Sequence, residues 1–550
     1  MLKGKMLRDA LISGGNSIQN NRKKVDQLNV YPVPDGDTGT NMSLTMSSAV
    51  RELELMDDSV TVSQVADAAA SALLRGARGN SGVILSLIFR GFSKGLSGLS
   101  TADCADLAKA LEIGVDAAYK SVMNPTEGTV LTVSRAAAEK AKESAEYSGS
   151  IQSFWNDVCT AAQTALDKTP EQLPVLKKAG VVDAGGQGLV IIFDAMLSVF
   201  SGNEPEKNQS IESVSKTFEI QDAAADADED IRFSYCTEFI VEKKENCRDP
   251  FMLRAYLETI GDCVVVVDDD EIIKVHVHTD NPGLAIQKGL EFGRFVNEPK
   301  PKIENMRIQH ENRIKEKKIT NRQEFVPVDP VNEFGFVAVA AGKGLESVFR
   351  DLGADCVIMG GQTMNPSTDD ILKAIHSTPA KNVFVLPNNK NIIMAAEQAI
   401  NLADRNVCVL QTRTVPQGIS ALMAYDPSAD FSSNRLEMTK AVEKVATGQI
   451  TFAARDSEYE GHNIKKNEIL AFEDGKLVYT EKDVSKAAVK LAKRMIKNDT
   501  SFVNIIYGAD VTEEQAEKVY ASLESKFGGK AEIMLTNGGQ PVYYYIISVE

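Results

Sequence analysis

The chain is poor in cysteine and in histidine. Its 550 residues include seven cysteines and five histidines. The cysteines are scattered and odd in number, so no disulfide framework is indicated. That usage is typical of a protein kept in a reducing compartment, and we expect the chain to be cytoplasmic. The charged amino-terminal residues are not followed by an apolar stretch, which predicts that they are not a signal peptide.

Long apolar runs and a surplus of positive charge are also missing. No uninterrupted apolar stretch reaches the length that spans a bilayer, so we expect no direct membrane span. The 60 lysines and arginines stand against 77 aspartates and glutamates, which gives a net charge of -17. A surface of that sign repels nucleic acid, which is therefore not an expected partner. Any anion site must be locally positive, and Arg75 and Arg78 are candidates to make it so.

Length and periodicity predict several domains, because one hydrophobic core does not serve a chain of 550 residues. A 3.6-residue apolar period with abundant alanine predicts an all-α region over 1–200. The polar, acidic stretch 201–230 is typical of a linker. Strand-like alternation predicts an α+β middle module over 231–322. Alternating strands and helices over 330–550 predict an α/β domain with a parallel sheet.

The most informative segment is the loop before the helical-looking run that starts at Ser43. Asp35 and Asp37 stand two residues apart among prolines and glycines, and hydroxyl and amide side chains follow. Carboxylates that hold a hard cation such as Mg²⁺ attract phosphate. The start of the next helix offers N–H groups and the positive end of its dipole to the same anion. An Asx turn that caps a helix is the structural alternative.

Three further loops of small residues run into apolar helices. They are Arg75–Gly82, Pro125–Thr129 and Ala179–Gly188. One glycine-rich loop is a weak indication of a ligand site. Several at successive helix starts predict that the amino-terminal ends gather around one polyanion. A solenoid could also space loops in this way, but no constant repeat length is present.

These motifs carry a resemblance to a known family. Together, Pro34–Met42, Gly79–Gly82 and Asp183–Gly186 resemble the ATP-binding subunit of dihydroxyacetone kinases, of the DAK2 or DhaL type. The whole chain is similar to the A-type subunits of bacterial fatty acid kinases, a family whose carboxyl-terminal region is DegV-like. The resemblance implies that the all-α region is a DhaL-like helical barrel that binds ATP and one or two Mg²⁺ ions.

The resemblance also implies which residues form the site. Asp35 and Asp37 would be metal ligands. The residues expected beside the metal or the nucleotide are Thr38, Thr40, Asn41, Asn80, Ser81, Gly82, Thr129 and Asp183. Val30 stands where the kinase pattern has a further aspartate, and the adjacent Asn29 is the candidate to replace it as a neutral ligand.

A second group of candidate residues lies in the middle module. His276 and His278 are two residues apart on a predicted strand, so both point to one face. Cys236 lies on a neighbouring predicted strand. Two imidazoles and a thiolate can hold Zn²⁺ with one position open. A polar strand face beside a buried cysteine is the structural alternative. The resemblance implies that the three residues are functional, as zinc ligands or directly in catalysis.

The resemblance implies an ATP-dependent kinase that phosphorylates a fatty acid presented by a separate fatty-acid-binding protein of DegV-like fold. The product would be an acyl phosphate for phospholipid synthesis. A carboxylate acceptor is already ionised at neutral pH and needs no base. Two alternatives remain open. One is a glycerone-type kinase that acts on a small hydroxyketone such as dihydroxyacetone, which would need a base. The other is a non-catalytic scaffold that senses nucleotide.

Two expectations concern assembly. A homodimer is expected, and the predicted strand Cys263–Val267 could pair across it. The carboxyl-terminal region carries no acid–base pair and is expected to bind or dock a partner. Its segment Gly360–Thr368 is similar to a loop of the DegV-like fatty-acid-binding proteins.

Overall fold

The structure is a computed structural model of the chain. It describes residues 1–29, 36–122, 125–208, 233–244, 249–268, 272–295, 301–305, 325–361, 364–454, 456–459 and 462–550. Contacts divide the chain into two compact units, one of Met1–Val214 with Phe325–Glu550 and one of Ser215–Glu324. In the part of the chain that the structure describes, no helix has the length and apolar character needed to cross a bilayer.

The amino-terminal part of the first unit is helical, in agreement with its 3.6-residue apolar period. Its described helices are α1 (Gly4–Asn20), α2 (Arg22–Asp26), α3 (Thr38–Leu53), α4 (Val62–Gly76), α5 (Gly79–Gly95), α6 (Cys104–Ser121), α7 (Val130–Ser144), α8 (Ile151–Asp167), α9 (Thr169–Gln172), α10 (Pro174–Ala179) and α11 (Ala184–Phe200). One feature departs from the all-α prediction. The two-residue strands β1 (Leu2–Lys3) and β2 (Thr101–Ala102) pair antiparallel.

The apolar faces of these helices form one core. Trp155 is 1% exposed, and its Nε1 donates to the carbonyl of Phe193 at 3.1 Å. Helices α5 and α6 approach closely because both carry glycine at their crossing. A Cβ on Gly91 would lie 2.6 Å from the Cα of Gly114. This close packing fixes α5 against α6, and α5 is one of the helices that follow a predicted ligand loop.

The carboxyl-terminal part of the first unit begins with a parallel sheet of order β11-β10-β8-β9. Its elements are β8 (Asn332–Ala340), α14 (Lys343–Asp351), β9 (Cys356–Met359), α15 (Thr368–His376), β10 (Ala380–Leu386), α16 (Ile393–Ile400) and β11 (Asn406–Val409), with helices numbered here after two in the middle unit. Strand and helix alternate as the sequence predicts. The carboxyl ends of the strands therefore share one edge, where the loop from β9 to α15 begins.

A mixed sheet of order β16-β15-β12-β19-β17-β18 completes this part. Its elements are α17 (Val415–Met423), α18 (Phe431–Lys444), β12 (Ala446–Phe452), the hairpin β13 (Ser457–Tyr459) and β14 (His462–Ile464), β15 (Ile469–Glu473), β16 (Lys476–Glu481), α19 (Val484–Met495), β17 (Phe502–Tyr507), α20 (Glu513–Phe527), β18 (Glu532–Asn537) and β19 (Tyr545–Val549). Strands β17 and β18 are parallel, as the βαβ pattern of the tail predicts. The antiparallel strands β12, β15, β16 and β19 were not part of that prediction.

The helical part and the parallel sheet share a hydrophobic core. Val83 of α5, Val339 of β8 and Ile371 of α15 are buried in the same cluster. Helix α16 contacts α5, and α15 contacts α4. The first and last predicted regions are therefore joined in one compact unit.

The start of the predicted acidic linker is not free of that unit. The backbone N–H of Glu206 donates to the Ser13 hydroxyl at 3.0 Å, and the side-chain amide of Asn16 donates to the Glu206 carbonyl at 2.8 Å. These bonds hold the segment along α1. The part of the predicted linker after residue 208 lies outside the described residues.

The second unit is an antiparallel sheet with helices. Its described elements are β3 (Tyr235–Lys243), α12 (Pro250–Ile260), β4 (Gly261–Asp268), β5 (Ile272–Thr279), α13 (Pro282–Leu290), β6 (Gly293–Phe295) and β7 (Lys302–Asn305). The strand order is β4-β5-β3-β6, and β7 also pairs with β3. Val275 and Val277 of β5 are buried with Leu253 of α12 and Ala285 of α13. Because side chains alternate along a strand, His276 and His278 lie on the opposite face of the sheet.

Candidate functional site

Four helices of the first unit begin around one cleft of about 280 Å³. They are α3, α5, α7 and α11, the helices that follow the four small-residue loops of the sequence. The lining includes Leu28, Asn29, Thr38, Asn80, Ser81, Ile84, Val122, Thr126, Thr129, Val130, Leu131, Leu176, Asp183, Ala184 and Gly185. The amino-terminal end of a helix carries a partial positive charge. The cleft is thus built to receive an anion despite the negative charge of the chain.

Five of the residues expected beside metal or nucleotide line this cleft, namely Thr38, Asn80, Ser81, Thr129 and Asp183. Asp37 immediately precedes the first turn of α3, and its carboxylate accepts a hydrogen bond from Asn365 at 2.6 Å. Asp35 lies outside the described residues. The loops that the sequence separates by up to 150 residues therefore meet at one place.

The side-chain oxygen of Asn80 is a candidate ligand atom. Its Oδ1 is buried and has no hydrogen-bond partner among the described residues. A buried acceptor left unpaired costs about 1–3 kcal/mol, which a bound cation or donor would recover. Asn29, the candidate neutral ligand, also lines the cleft and accepts the hydroxyl of Thr38 at 3.0 Å. These oxygen donors are of the type that Mg²⁺ prefers.

Thr40 and Gly82 have neighbours different from those expected. The hydroxyl and the N–H of Thr40 donate to the carboxylate of Asp26 at 2.9 and 3.0 Å. Gly82 was expected beside the metal or the nucleotide, but its N–H donates to the carbonyl of Arg78 at 3.1 Å within the helix. A Cβ on Gly82 would lie 2.3 Å from the Thr45 hydroxyl, and this glycine therefore serves the packing of α5 on α3.

Asn41 is buried between the two parts of the first unit. It is 4% exposed, and its Oδ1 lies 3.5 Å from the amide nitrogen of Asn365. A Cβ on Gly79 would lie 2.4 Å from the Asn41 amide, so glycine is required at the start of α5. Asn41 thus contacts the residue that binds Asp37 and does not line the cleft itself.

Asp183 caps α11 and lines the cleft. Its Oδ2 accepts the N–H of Gly186 at 2.7 Å. Burial raises the pKa of the Asp183 carboxyl to about 6, and backbone N–H groups offset part of that shift. A nearby cation would favour the charged carboxylate and lower this pKa.

Thr129 caps α7 and also lines the cleft. Its hydroxyl donates to the Thr126 carbonyl at 2.7 Å and accepts the N–H of Leu131. Glu127, two residues earlier, accepts from the Thr132 hydroxyl and pairs with Arg135 at 2.8 Å, and these contacts lower its pKa. The α7 loop is therefore held by its own hydrogen bonds.

The two arginines expected to make the site positive are paired with carboxylates. Arg75 binds Glu52 at 3.1 Å, and Arg78 binds Asp370 at 3.3 Å. Their charge is therefore partly neutralised before any anion arrives. The helix starts and a cation are left as the main sources of positive potential in the cleft.

The three candidates of the middle unit lie together. The pairing of β3 with β5 sets Cys236 directly opposite His278. The Cys236 sulfur lies 3.9 Å from Nδ1 of His276, and the two histidine Nε2 atoms are 3.2 Å apart. One ligand atom from each of the three residues can be chosen so that all lie within 4.8 Å of one another. One sulfur and two imidazole nitrogens form a donor set that suits Zn²⁺.

Comparison with known proteins decides the family. The DAK2 domain model matches residues 32–198, the middle-domain model of the FakA-like fatty acid kinase proteins matches 232–313, and their carboxyl-terminal model matches 335–550. The protein YloV of Bacillus subtilis is 41% identical over 100% of this chain and 99% of its own length. The chain belongs to the FakA-like family of fatty acid kinase proteins. The resemblance drawn from its motifs is thereby confirmed.

Other relatives extend the comparison. A protein of Staphylococcus haemolyticus is 39% identical over 100% of this chain and 99% of its own length. Among solved structures, a DegV family protein from Corynebacterium glutamicum is 14% identical, covers 40% of this chain and 97% of its own, and has a TM-score of 0.32.

Sequence reasoning missed three residues of this family member's candidate sites. Asp26 binds Thr40, as described above. Asn365 comes from the loop after β9 and binds Asp37. The motifs linked that loop to DegV-like fatty-acid-binding proteins and not to the nucleotide site. Asp262 lies on β4 with its Oδ1 3.7 Å from Nδ1 of His278, within reach of an ion pair when that imidazole is protonated. Each approaches from a different element, and no local spacing in the sequence signals such a contact.

Proposed function

We propose that this chain is the ATP-dependent kinase component of a fatty acid kinase. It transfers a phosphoryl group to the carboxylate of a fatty acid that a separate fatty-acid-binding protein of DegV-like fold presents, giving an acyl phosphate for phospholipid synthesis. The observation that carries the proposal is the cleft, where four helix starts and five expected nucleotide-contacting residues meet in a member of this kinase-like family.

The cleft offers separate groups for a cation and for phosphate. Asp37, Asn29 and Asn80 are the proposed oxygen ligands for one or two Mg²⁺ ions, with Asp35 as a further ligand. The first turn of α5 and the Ser81 hydroxyl would donate to phosphate oxygens, and the positive ends of the α7 and α11 dipoles would attract them. When bound, Mg²⁺ offsets the charge of the phosphates, which is the main requirement of phosphoryl transfer.

The acceptor determines what else the site must supply. A fatty acid carboxylate is already ionised at neutral pH, so no residue has to remove a proton from it. The remaining barrier is the approach of two anions, which positive charge near the cleft lowers. An alcohol acceptor would need a base within hydrogen-bond reach of its hydroxyl.

The middle unit is proposed to take part in the reaction through Cys236, His276 and His278. These three residues would hold Zn²⁺ or act directly in catalysis, and Asp262 lies near His278. Strand β4 lies at the edge of the described part of its sheet, and pairing of two such edges is the proposed contact of a homodimer. We place the enzyme in the cytoplasm because its cysteine usage is typical of a reducing compartment.

A transfer assay with three acceptor conditions tests the proposal. The full-length chain is mixed with ATP labelled at the γ-phosphate, Mg²⁺ and either oleate on a DegV-fold carrier, dihydroxyacetone, or no acceptor. Label on the fatty acid supports the proposal. Label on the hydroxyketone would establish the glycerone-type kinase instead, and nucleotide binding without transfer in any mixture would establish the scaffold.

The first prediction concerns Asp37. Replacing it by alanine removes a proposed metal ligand, and we expect transfer to the fatty acid to fall by more than about 100-fold. The matched control is Asp116→Ala on α6, whose carboxylate is 65% exposed and pairs only loosely with Lys120 at 3.8 Å. Transfer by the Asp37 variant at the rate of the control would remove Asp37 from the site.

A further inference from the structure

A segment of the carboxyl-terminal part reaches the helix starts of the amino-terminal part. Ser367 forms an isolated antiparallel β-bridge with Arg78, and the N–H of Thr368 donates to the carbonyl of Ala77 at 3.1 Å. Residues 364–368, called the clasp segment, lie between β9 and the first turn of α15 and include Thr368, its first residue. The segment therefore lies against the loop that precedes α5, one of the loops around the cleft.

Within the clasp segment, Asn365 binds a proposed metal ligand. It is 3% exposed, and its Nδ2 donates to Oδ2 of Asp37 at 2.6 Å. The same nitrogen lies 3.5 Å from Oδ1 of Asn41. Both neighbours are acceptors, so the amide must face them with its nitrogen and not with its oxygen. The contact is thus a charge-assisted, partly buried hydrogen bond between the two parts.

Arg78 holds Asn365 in that position. Its Nη1 donates to the backbone carbonyl of Asn365 at 2.7 Å, and its Nη2 lies 3.3 Å from the carboxylate of Asp370. The backbone N–H of Arg78 donates to the Thr45 hydroxyl at 3.2 Å, which ties the arginine to α3. The planar guanidinium therefore binds two groups of the carboxyl-terminal part at once.

A capping box at the start of α15 also holds the clasp segment in place. Ser367 caps the helix, and its hydroxyl accepts the N–H of Asp370 while the Asp370 carboxylate accepts the N–H of Ser367. The clasp segment is thus held by α15 on one side and by Arg78 on the other. The position of the Asn365 amide is determined by the packing of the whole first unit.

We propose that Asn365 is a positioning residue of the nucleotide–metal site, supplied by the carboxyl-terminal part. Its hydrogen bond restricts rotation of the Asp37 carboxylate and so sets the direction of the oxygen lone pairs offered to a cation. Partners of this kind commonly change metal affinity by about 10–100-fold. The inference rests on the proposed function, because it takes Asp37 as a metal ligand. It gives the carboxyl-terminal part a role in nucleotide binding in addition to partner docking.

Nucleotide binding by the full-length chain tests this inference. We compare wild type, Asn365→Ala and Asn382→Ala by calorimetry with Mg²⁺ and a non-hydrolysable ATP analogue. Asn382 of β10 is the matched control. Its amide also donates to a carboxylate, that of Glu333 on β8 at 3.2 Å, but this contact is exposed. We expect affinity to fall tenfold or more in the Asn365 variant alone, and excess Mg²⁺ to recover most of it.

A second measurement separates positioning from general stability. In protein free of nucleotide and Mg²⁺, Asn365→Ala should lower the unfolding temperature in the wild-type background and have much less effect when Asp37 is already alanine. Equal effects in the two backgrounds would overturn the proposed contact. A loss of nucleotide affinity that Mg²⁺ does not restore would overturn the positioning role.

The outcomes also distinguish this inference from the proposed function. Wild type that binds no nucleotide refutes the proposed function. Wild type and Asn365→Ala with equal affinity refute only the inference. If Asn365→Ala does not fold, Arg78→Lys decides, because lysine keeps the charge beside Asp370 but cannot bind both groups as a fork. An affinity unchanged in that variant would contradict the inference.

Discussion

At the scale of single residues, the cleft contains contacts that stabilise the fold and buried polar groups that destabilise it. Asp183 satisfies an N–H at the start of α11, yet burial raises the pKa of its carboxyl to about 6. The Asn80 oxygen is buried without a described partner. Both features cost stability in the absence of a ligand, and such costs are typical of binding sites.

The second prediction follows from the raised pKa of Asp183. The native state holds this proton more tightly than the unfolded chain, so the carboxyl favours folding below about pH 4 and loses that effect as the pH rises through about 6. Asp183→Asn keeps the helix cap. We expect its free energy of unfolding to exceed that of wild type by up to about 3 kcal/mol at pH 7, with no gain below about pH 4.

Urea unfolding followed by the fluorescence of the single tryptophan measures this effect. Trp155 is buried in the same helical core and reports on that unit. Asp116→Asn serves as the control, because its carboxylate is exposed. A variant that matches wild type at every pH would show that Asp183 is not buried as described. Under the proposed function the stabilised variant should bind Mg²⁺ and ATP less well.

At the scale of elements, strand register decides what the middle unit can do. The spacing of His276 and His278 places them on one face of any strand. Only the pairing of β3 with β5 brings Cys236 opposite His278, and the pairing of β4 with β5 brings Asp262 there. A slip of one residue would turn Cys236 to the apolar face, where α12 and α13 pack.

The third prediction is that this register makes a metal site. Elemental analysis of dialysed full-length protein should find about one zinc per chain, because three ligands with a supporting carboxylate suffice for a catalytic-type site. His276→Ala should lower the zinc content at least tenfold. His376→Ala is the control, since that histidine pairs with Asp404 at 3.4 Å in the other unit. Wild-type protein that contains no zinc would contradict this prediction and show that Cys236, His276 and His278 are only a polar cluster on the sheet.

At the scale of the whole molecule, the first unit combines segments from both ends of the chain. The parallel sheet and the helices around the cleft share buried residues, among them Val83 and Ile371. The clasp segment lies next to this shared core along the chain, because Asn365 and Ile371 both belong to the stretch between β9 and β10. A loss of stability in the carboxyl-terminal part should therefore also destabilise the helices around the cleft.

The fourth prediction measures that coupling. Ile371→Ala removes a fully buried side chain, which costs about 2–5 kcal/mol. Hydrogen exchange should become faster not only in α15 but also in α5, which shares the core that loses contacts, and in α4, which contacts α15. The matched control is Ile273→Ala, which is equally buried in the middle unit. Exchange in α4 and α5 that responds no more to Ile371→Ala than to the control would show that the two parts unfold independently.

The local pattern of the sequence determined the elements and the chemistry of their ends. The 3.6-residue period predicted the helical region, the βαβ alternation predicted the parallel sheet, and the glycine-rich loops before α3, α5, α7 and α11 predicted an anion site. These features depend on neighbours along the chain, through dihedral preference, capping and apolar periodicity. They were therefore visible without a fold, as was the family to which the chain belongs.

The tertiary structure alone decided which distant groups meet. It paired Arg78 with Asp370, brought Asn365 to Asp37, and left the Gly82 N–H inside its helix. The antiparallel strands of the mixed sheet and the anchored start of the acidic segment were equally hidden. Contacts between segments hundreds of residues apart arise from packing of whole elements, and no local spacing records them. The composition of the cleft was thus readable from its loops, whereas the residue that holds its carboxylate was not.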